Sequence, residues 1–176
     1  VAERRPAGEY VASSMCFSAL AFALLYGIQE RWVDVAVLLL AGLGQVVAFL
    51  CFRNGYARGV SSVVVLIAGV SAAEQLYSRI SWWDLLIHFI CTYVLVLIVW
   101  NHVLRRAPGR GTLPTRRRIL MCTVAGLALA AVWELMELIG FLFVTPDIHI
   151  PPLDTLSDVA AGVLGASLAG LHRKSR

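Results

Sequence analysis

Charge is what this chain has least of. Only 15% of its 176 residues are Asp, Glu, Lys or Arg, against roughly 25% in a soluble domain. In their place, 59% are hydrophobic and the mean hydropathy is +0.77. That composition excludes a soluble globular protein. Other absences narrow the field. No two of the four cysteines stand in a CxxC spacing, and all four (Cys16, Cys51, Cys91, Cys122) sit in apolar runs. A disulfide framework and a zinc ribbon are therefore excluded, leaving small buried apolar side chains. There is no HExxH, so the metalloprotease pattern is missing. No internal repeat or interdomain linker interrupts the chain, and no basic stripe marks a soluble face, so no nucleic acid is expected as a partner. The polar start, "VAERRPAGEY", leads into no short apolar stretch with a cleavage site. The first apolar run is thus expected to stay in the membrane.

What is present is a series of apolar runs of about 20 residues, the length that crosses a bilayer as a helix. The sequence predicts an all-α bundle of six transmembrane helices, a single integral membrane domain over 1–176. The expected spans cover about 10–29, 33–52, 60–80, 83–104, 118–143 and 153–171. Short connections favour antiparallel neighbours. The longest, "RRAPGRGTLPTRRR", reads as an irregular surface loop.

The few charges are sorted by sign. With six spans, all of the 15 Lys and Arg except Arg31 and Arg79 fall on the side of the termini. The positive-inside rule places that side, and both termini, in the cytoplasm. The basic residues also suit anionic membrane lipids. Of the 11 acids, all except Glu3 and Glu9 fall on the opposite face or in the outer half of a span. Orientation does not require that of acids.

Depth and spacing bring the acids together. At about 1.5 Å per residue, His88 and Asp158 lie roughly 7 Å below the outer rim, Glu137 about 9 Å and Glu134 about 14 Å. Asp84 and His88 in "WDLLIHF" are four apart, Glu134 and Glu137 in "WELMEL" three apart, and Asp154 and Asp158 in "DTLSDV" four apart. Each pair shares one helix face. Facing lipid would cost about 2.5–3.5 kcal/mol per central carboxylate on insertion scales. The three faces are therefore expected to meet inside the bundle, around a pocket open to the outer side.

Five carboxylates and an imidazole form the donor set of a divalent-cation site. Oxygen ligands suit Mg, Ca or Mn, and the histidine admits Zn or Fe. The reading gives His88, Asp84, Asp158 and Asp154 as metal ligands and Glu134 or Glu137 as general base, with His88 a ligand or acid. Asp84 and Asp154 also stand where helix caps belong. Glu74 suits either the site or a surface pair with Arg79, and Asp147 and His149 lie in the outer loop. Gly162, Ala166 and Gly170, four apart, allow close helix packing. Trp32, Trp82 and Trp83 suit an aromatic belt at the interface.

In order, "WDLLIHF", "WELMEL" and "DTLSDVAAGVLGA" resemble the DxxxHF, [YW]ExxE and DTxxDxxxxxxGA motifs of YjdF-type bacterial inner-membrane proteins. More distantly they resemble VanZ-like proteins. The resemblance covers about residues 82–170 and marks Asp84, His88, Glu134, Glu137, Asp154 and Asp158. It implies a bacterial plasma (inner) membrane protein of the cell envelope, since VanZ-like proteins are associated with glycopeptide resistance. Three functions follow as expectations. The first is a metal-dependent enzyme acting on an envelope lipid or glycan headgroup. The second is an ion or small-molecule carrier, and the third a non-catalytic accessory subunit of an envelope complex. A carrier needs a polar path to the inner side, where only Gln45 and Thr123 offer one.

Overall fold

The computed structural model describes residues 7–104, 113–146, 148 and 154–172, and among these it is all-helical. The chain folds as two compact units, Val1–Leu76 and Tyr77–Arg176. Among the described residues, five helical stretches are long and apolar enough to cross a membrane: Gly8–Ile28, Trp32–Cys51, Gly55–Ala73, Trp83–His102 and Thr115–Phe143.

The first unit holds α1 (Ala7–Ser14), a 3-10 turn (Met15–Phe17), α2 (Ser18–Ile28), α3 (Trp32–Cys51) and α4 (Gly55–Ala73). The 3-10 turn breaks the backbone ladder of the first span. The Met15 carbonyl is taken by the N–H and hydroxyl of Ser18, so the Ala19 N–H needs another acceptor. Gln45 of α3 supplies it. Its Oε1 accepts from Ala19 N at 3.0 Å, and its Nε2 donates to Ser18 Oγ at 2.9 Å and to the Ser62 carbonyl at 3.0 Å. This fully buried amide ties three helices across the break.

The turn after α2 places Glu30 at φ 59°, with Arg31 N donating to Tyr26 O and Glu30 N to Gly27 O. That is the Schellman arrangement, made here without the usual glycine. Arg31 then joins the helix ends. It donates to Asp34 at 2.6 Å, to Glu74 at 3.0 Å and to the Ala73 carbonyl at 2.5 Å, and stacks over Tyr26. Tyr26 in turn donates to Glu74 at 2.5 Å. Glu74 thus has partners on α2 and at the start of α3 that its sequence context did not suggest.

The third span differs from its expected range of 60–80. It starts at Gly55, because Asn54 caps the N–H groups of Tyr56 and Ala57. It ends at Ala73, because Gln75 turns to φ 53°. Leu76–Arg79 is a separate short helix, α5.

The second unit packs α6 (Trp83–Val99), α7 (Thr115–Phe143) and α8 (Asp154–Leu171), with a π-helical turn at Trp100–Leu104. Its core includes Val96, Cys122, Ala166 and Ala169. Helix α8 approaches its neighbours through small residues. Gly162, Ala166 and Gly170, the expected packing stripe, are all buried. A Cβ added to Gly165 would land on the Phe89 carbonyl of α6, and one added to Gly126 of α7 would land on Ala166. Arg118 caps the far end of α8, donating to the Gly170 and Leu171 carbonyls. Helix α8 has 18 residues, enough to cross, but is not among the five stretches above. Asp154 and Asp158 dilute its apolar character.

Candidate metal centre

All the paired acids that the structure brings together lie in the second unit. On α6, Asp84 and His88 are one turn apart, and Asp84 Oδ1 is 3.4 Å from His88 Nε2. The helix is flanked by Trp82, which makes no side-chain cap bond, and Asp84 lies inside the first turn. There a carboxylate favours the positive end of the helix dipole, while its oxygen also meets the histidine. The imidazole is 2% exposed. From α7, Glu134 Oε1 approaches the other ring nitrogen, Nδ1, at 4.0 Å. From α8, Asp158 enters at 1% exposure.

Two sets of donor atoms result, each within 4.8 Å of one another: Asp84, His88 and Asp158, and His88, Glu134 and Glu137. His88 belongs to both. Bonds of about 2.0–2.6 Å from one ion span such separations. Within this cluster His88 Nε2, Glu134 Oε1 and Asp158 Oδ1 are buried with no hydrogen-bond partner. Buried polar atoms are paired in the great majority of cases, and an unpaired buried carboxylate is costly. His88 Nε2 and Asp158 Oδ1, beside Asp84, fit a cation on one side of the imidazole, and Glu134 Oε1 stands on its Nδ1 side.

Asp154, expected among the ligands, lies in neither set. It begins α8, one helical turn before Asp158, and its carbonyl accepts the Ser157 hydroxyl at 2.8 Å. Asp147 and His149 lie outside the described residues.

Two neighbours were not foreseen. Trp133 donates its indole N–H to Glu137 Oε1 at 2.8 Å, and its ring packs edge-on against His88 with centroids 5.2 Å apart. The i, i+4 spacing of Trp133 and Glu137 was a usable signal. Tyr77, on α5, also feels the cluster. Burial first, then Cys91, Asp84 and Glu137, push its phenol well above the usual value, so it stays protonated. A cavity of about 170 Å³ touches the acids, lined by Glu134, Leu135, Glu137, Leu138 and Thr155. A larger one, about 610 Å³, lies along α2 and α3 of the first unit and is lined by apolar side chains with Gly27. Its lining offers no chemistry, so the smaller cavity is the relevant one.

The family described as "predicted membrane protein (DUF2238)" matches residues 9–173, nearly the whole chain. The chain belongs to that family. No curated protein and no solved structure matches this DUF2238 chain. Membership agrees with the apolar helices and makes the protein a multi-pass membrane protein, one whose family description names no activity.

Proposed function

We propose that this DUF2238 protein holds a divalent cation at the Asp84–His88–Asp158 set and uses Glu134 or Glu137 as general base on an envelope lipid or glycan headgroup. The observation that carries the reading is that Asp84, His88 and Asp158 offer donor atoms within 4.8 Å of one another, with His88 Nε2 and Asp158 Oδ1 buried and without a hydrogen-bond partner. A bound cation would supply Lewis acidity toward an oxygen of the headgroup. The glutamates line the adjoining cavity, placed to take a proton from an attacking water or hydroxyl there. His88, Asp84 and Asp158 would hold the ion. In this reading α8 is the sixth span, both termini are cytoplasmic and the site faces outward in the bacterial inner membrane. The sorted charges and the YjdF-type and VanZ-like resemblance support that placement.

A carrier reading finds less support. Gln45 spends its amide on Ala19, Ser18 and Ser62. The Thr123 hydroxyl donates to Ile119 O at 2.9 Å and meets Ser167 Oγ at 2.8 Å. Both side chains serve packing. An accessory subunit would keep the same cluster as a polar core with no ion. Elemental analysis of the purified protein separates the cation centre from the ion-free core. About one divalent ion per chain in wild type, lost in Glu134→Gln/Asp158→Asn, supports the centre, and no ion after incubation with Zn, Mn, Mg or Ca removes it. For orientation, Ile148→Cys should react with an impermeant thiol reagent from outside and Thr112→Cys should not; the reverse would turn the site inward.

A further inference from the structure

The two glutamates that the site offers as bases are not equivalent, and His88 is what divides them. A neutral imidazole has one lone pair and one N–H, and the group met by one nitrogen fixes the role of the other. Nε2 stands beside Asp84, 3.4 Å away, buried and without a hydrogen-bond partner. Nδ1 looks the opposite way, toward Glu134 Oε1 at 4.0 Å, and that buried oxygen has no hydrogen-bond partner either. That distance exceeds a hydrogen bond, and a bridging water or a small rotation of the carboxylate closes it. Glu137 is held differently. Its Oε1 accepts the Trp133 indole N–H at 2.8 Å, and the Trp133 ring rests edge-on against His88.

We propose that Glu134 is a positioning residue that takes the Nδ1–H of His88 and turns the Nε2 lone pair toward a cation shared with Asp84 and Asp158, while Glu137, clamped by Trp133, is the base. The assignment rests on the cation reading above and completes it: a carboxylate behind a ligating histidine sets its tautomer and raises its basicity. Trp133 acquires a role in the same step. Its N–H keeps one carboxylate oxygen of Glu137 occupied and leaves the other for a proton, and its ring blocks the imidazole from swinging.

The test is titration of the full chain in detergent with Zn²⁺ and Co²⁺, following bound metal and the visible Co²⁺ spectrum. The variants are Glu134→Gln, Glu134→Leu, Glu137→Gln, Trp133→Phe and Asp158→Asn. Glu134→Gln should weaken affinity about 10–100-fold, the usual loss when such an outer partner is removed, with Glu134→Leu weaker still. Both should keep one ion per chain and the wild-type Co²⁺ spectrum at saturation. Glu137→Gln and Trp133→Phe should lose less than the roughly 10-fold expected of an outer partner, and Asp158→Asn should alter the spectrum. Should Glu137→Gln change the spectrum, or weaken binding as much as Glu134→Gln does, both glutamates are ligands. The division is then overturned while the cation centre stands. An Asp158→Asn variant with unaltered binding, beside a lost site in Glu134→Gln, would put the ion on the Nδ1 side and also overturn it. Wild type that binds neither metal sinks the cation reading itself. If Glu134→Leu fails to fold, Glu134→Gln alone carries the comparison.

Discussion

The two units bury polar groups in opposite ways. In the first, polar groups are closed against one another: Gln45 satisfies two backbone groups and a serine, and Arg31, Asp34, Tyr26 and Glu74 bond among themselves. In the second, the polar cluster is left open. Acids from three helices surround one histidine, and three of the buried atoms have no partner. Both units place polar groups in an apolar chain, and the difference lies in what those groups meet there. Closed networks return packing and register; an open one returns a place for something that is not protein.

Several measurements would break or sharpen that contrast. The largest effect belongs to the open cluster. Loading with metal at 100 times its Kd should stabilise wild type by about 2.7 kcal/mol, read as a rise in Tm that chelator reverses. Asp158→Asn should lose this response, and an unchanged response would mean the stabilising ion binds elsewhere. Next, Gln45→Ala should destabilise by about 1–3 kcal/mol, because the Ala19 N–H is left buried and unpaired. Its metal response should stay intact; loss of that response would show the two networks to be one. In chelated protein, Glu137→Gln should be neutral or slightly stabilising, since it removes a buried charge that nothing cationic offsets. A clear drop in Tm there would make the second cluster as closed as the first. The smallest effect is Arg31→Gln, about 0–1 kcal/mol, because the Arg31–Glu74 pair is more than a third exposed on the Glu74 side and screened by solvent.

Much of the second unit was legible from depth and cost. The spacing of Asp84 with His88 and of Glu134 with Glu137, and the penalty of turning them to lipid, suffice to predict convergence. They cannot say which carboxylate meets which ring nitrogen, since that depends on helix rotation about the α6, α7 and α8 axes. Asp154 shows the same limit: its face matches that of Asp158, but it sits a turn farther along. In the first unit the signals that failed were backbone ones. Glu30 and Gln75 hold positive φ where glycine would be expected, so the end of α4 carried no glycine mark. The 3-10 turn at Met15–Phe17 lies in an uninterrupted apolar run, and its only trace was a lone glutamine on another helix.

The glycine contacts of α8 have a consequence for how this sequence can vary. Gly165 stands about 10 Å along the helix from Asp158, with no room for a side chain against the Phe89 carbonyl. A larger residue there would roll or lift α8, and a roll of one residue swings the aspartate about 100° away from His88. A saturation scan should therefore find Gly165 and Gly126 as intolerant as the acids themselves, though neither can touch a ligand. Intolerance in this helix would report the aim of Asp158 as much as its chemistry, and a hole cut opposite the new side chain, such as Ala166→Gly beside Gly126→Ala, should restore what the bulk removed.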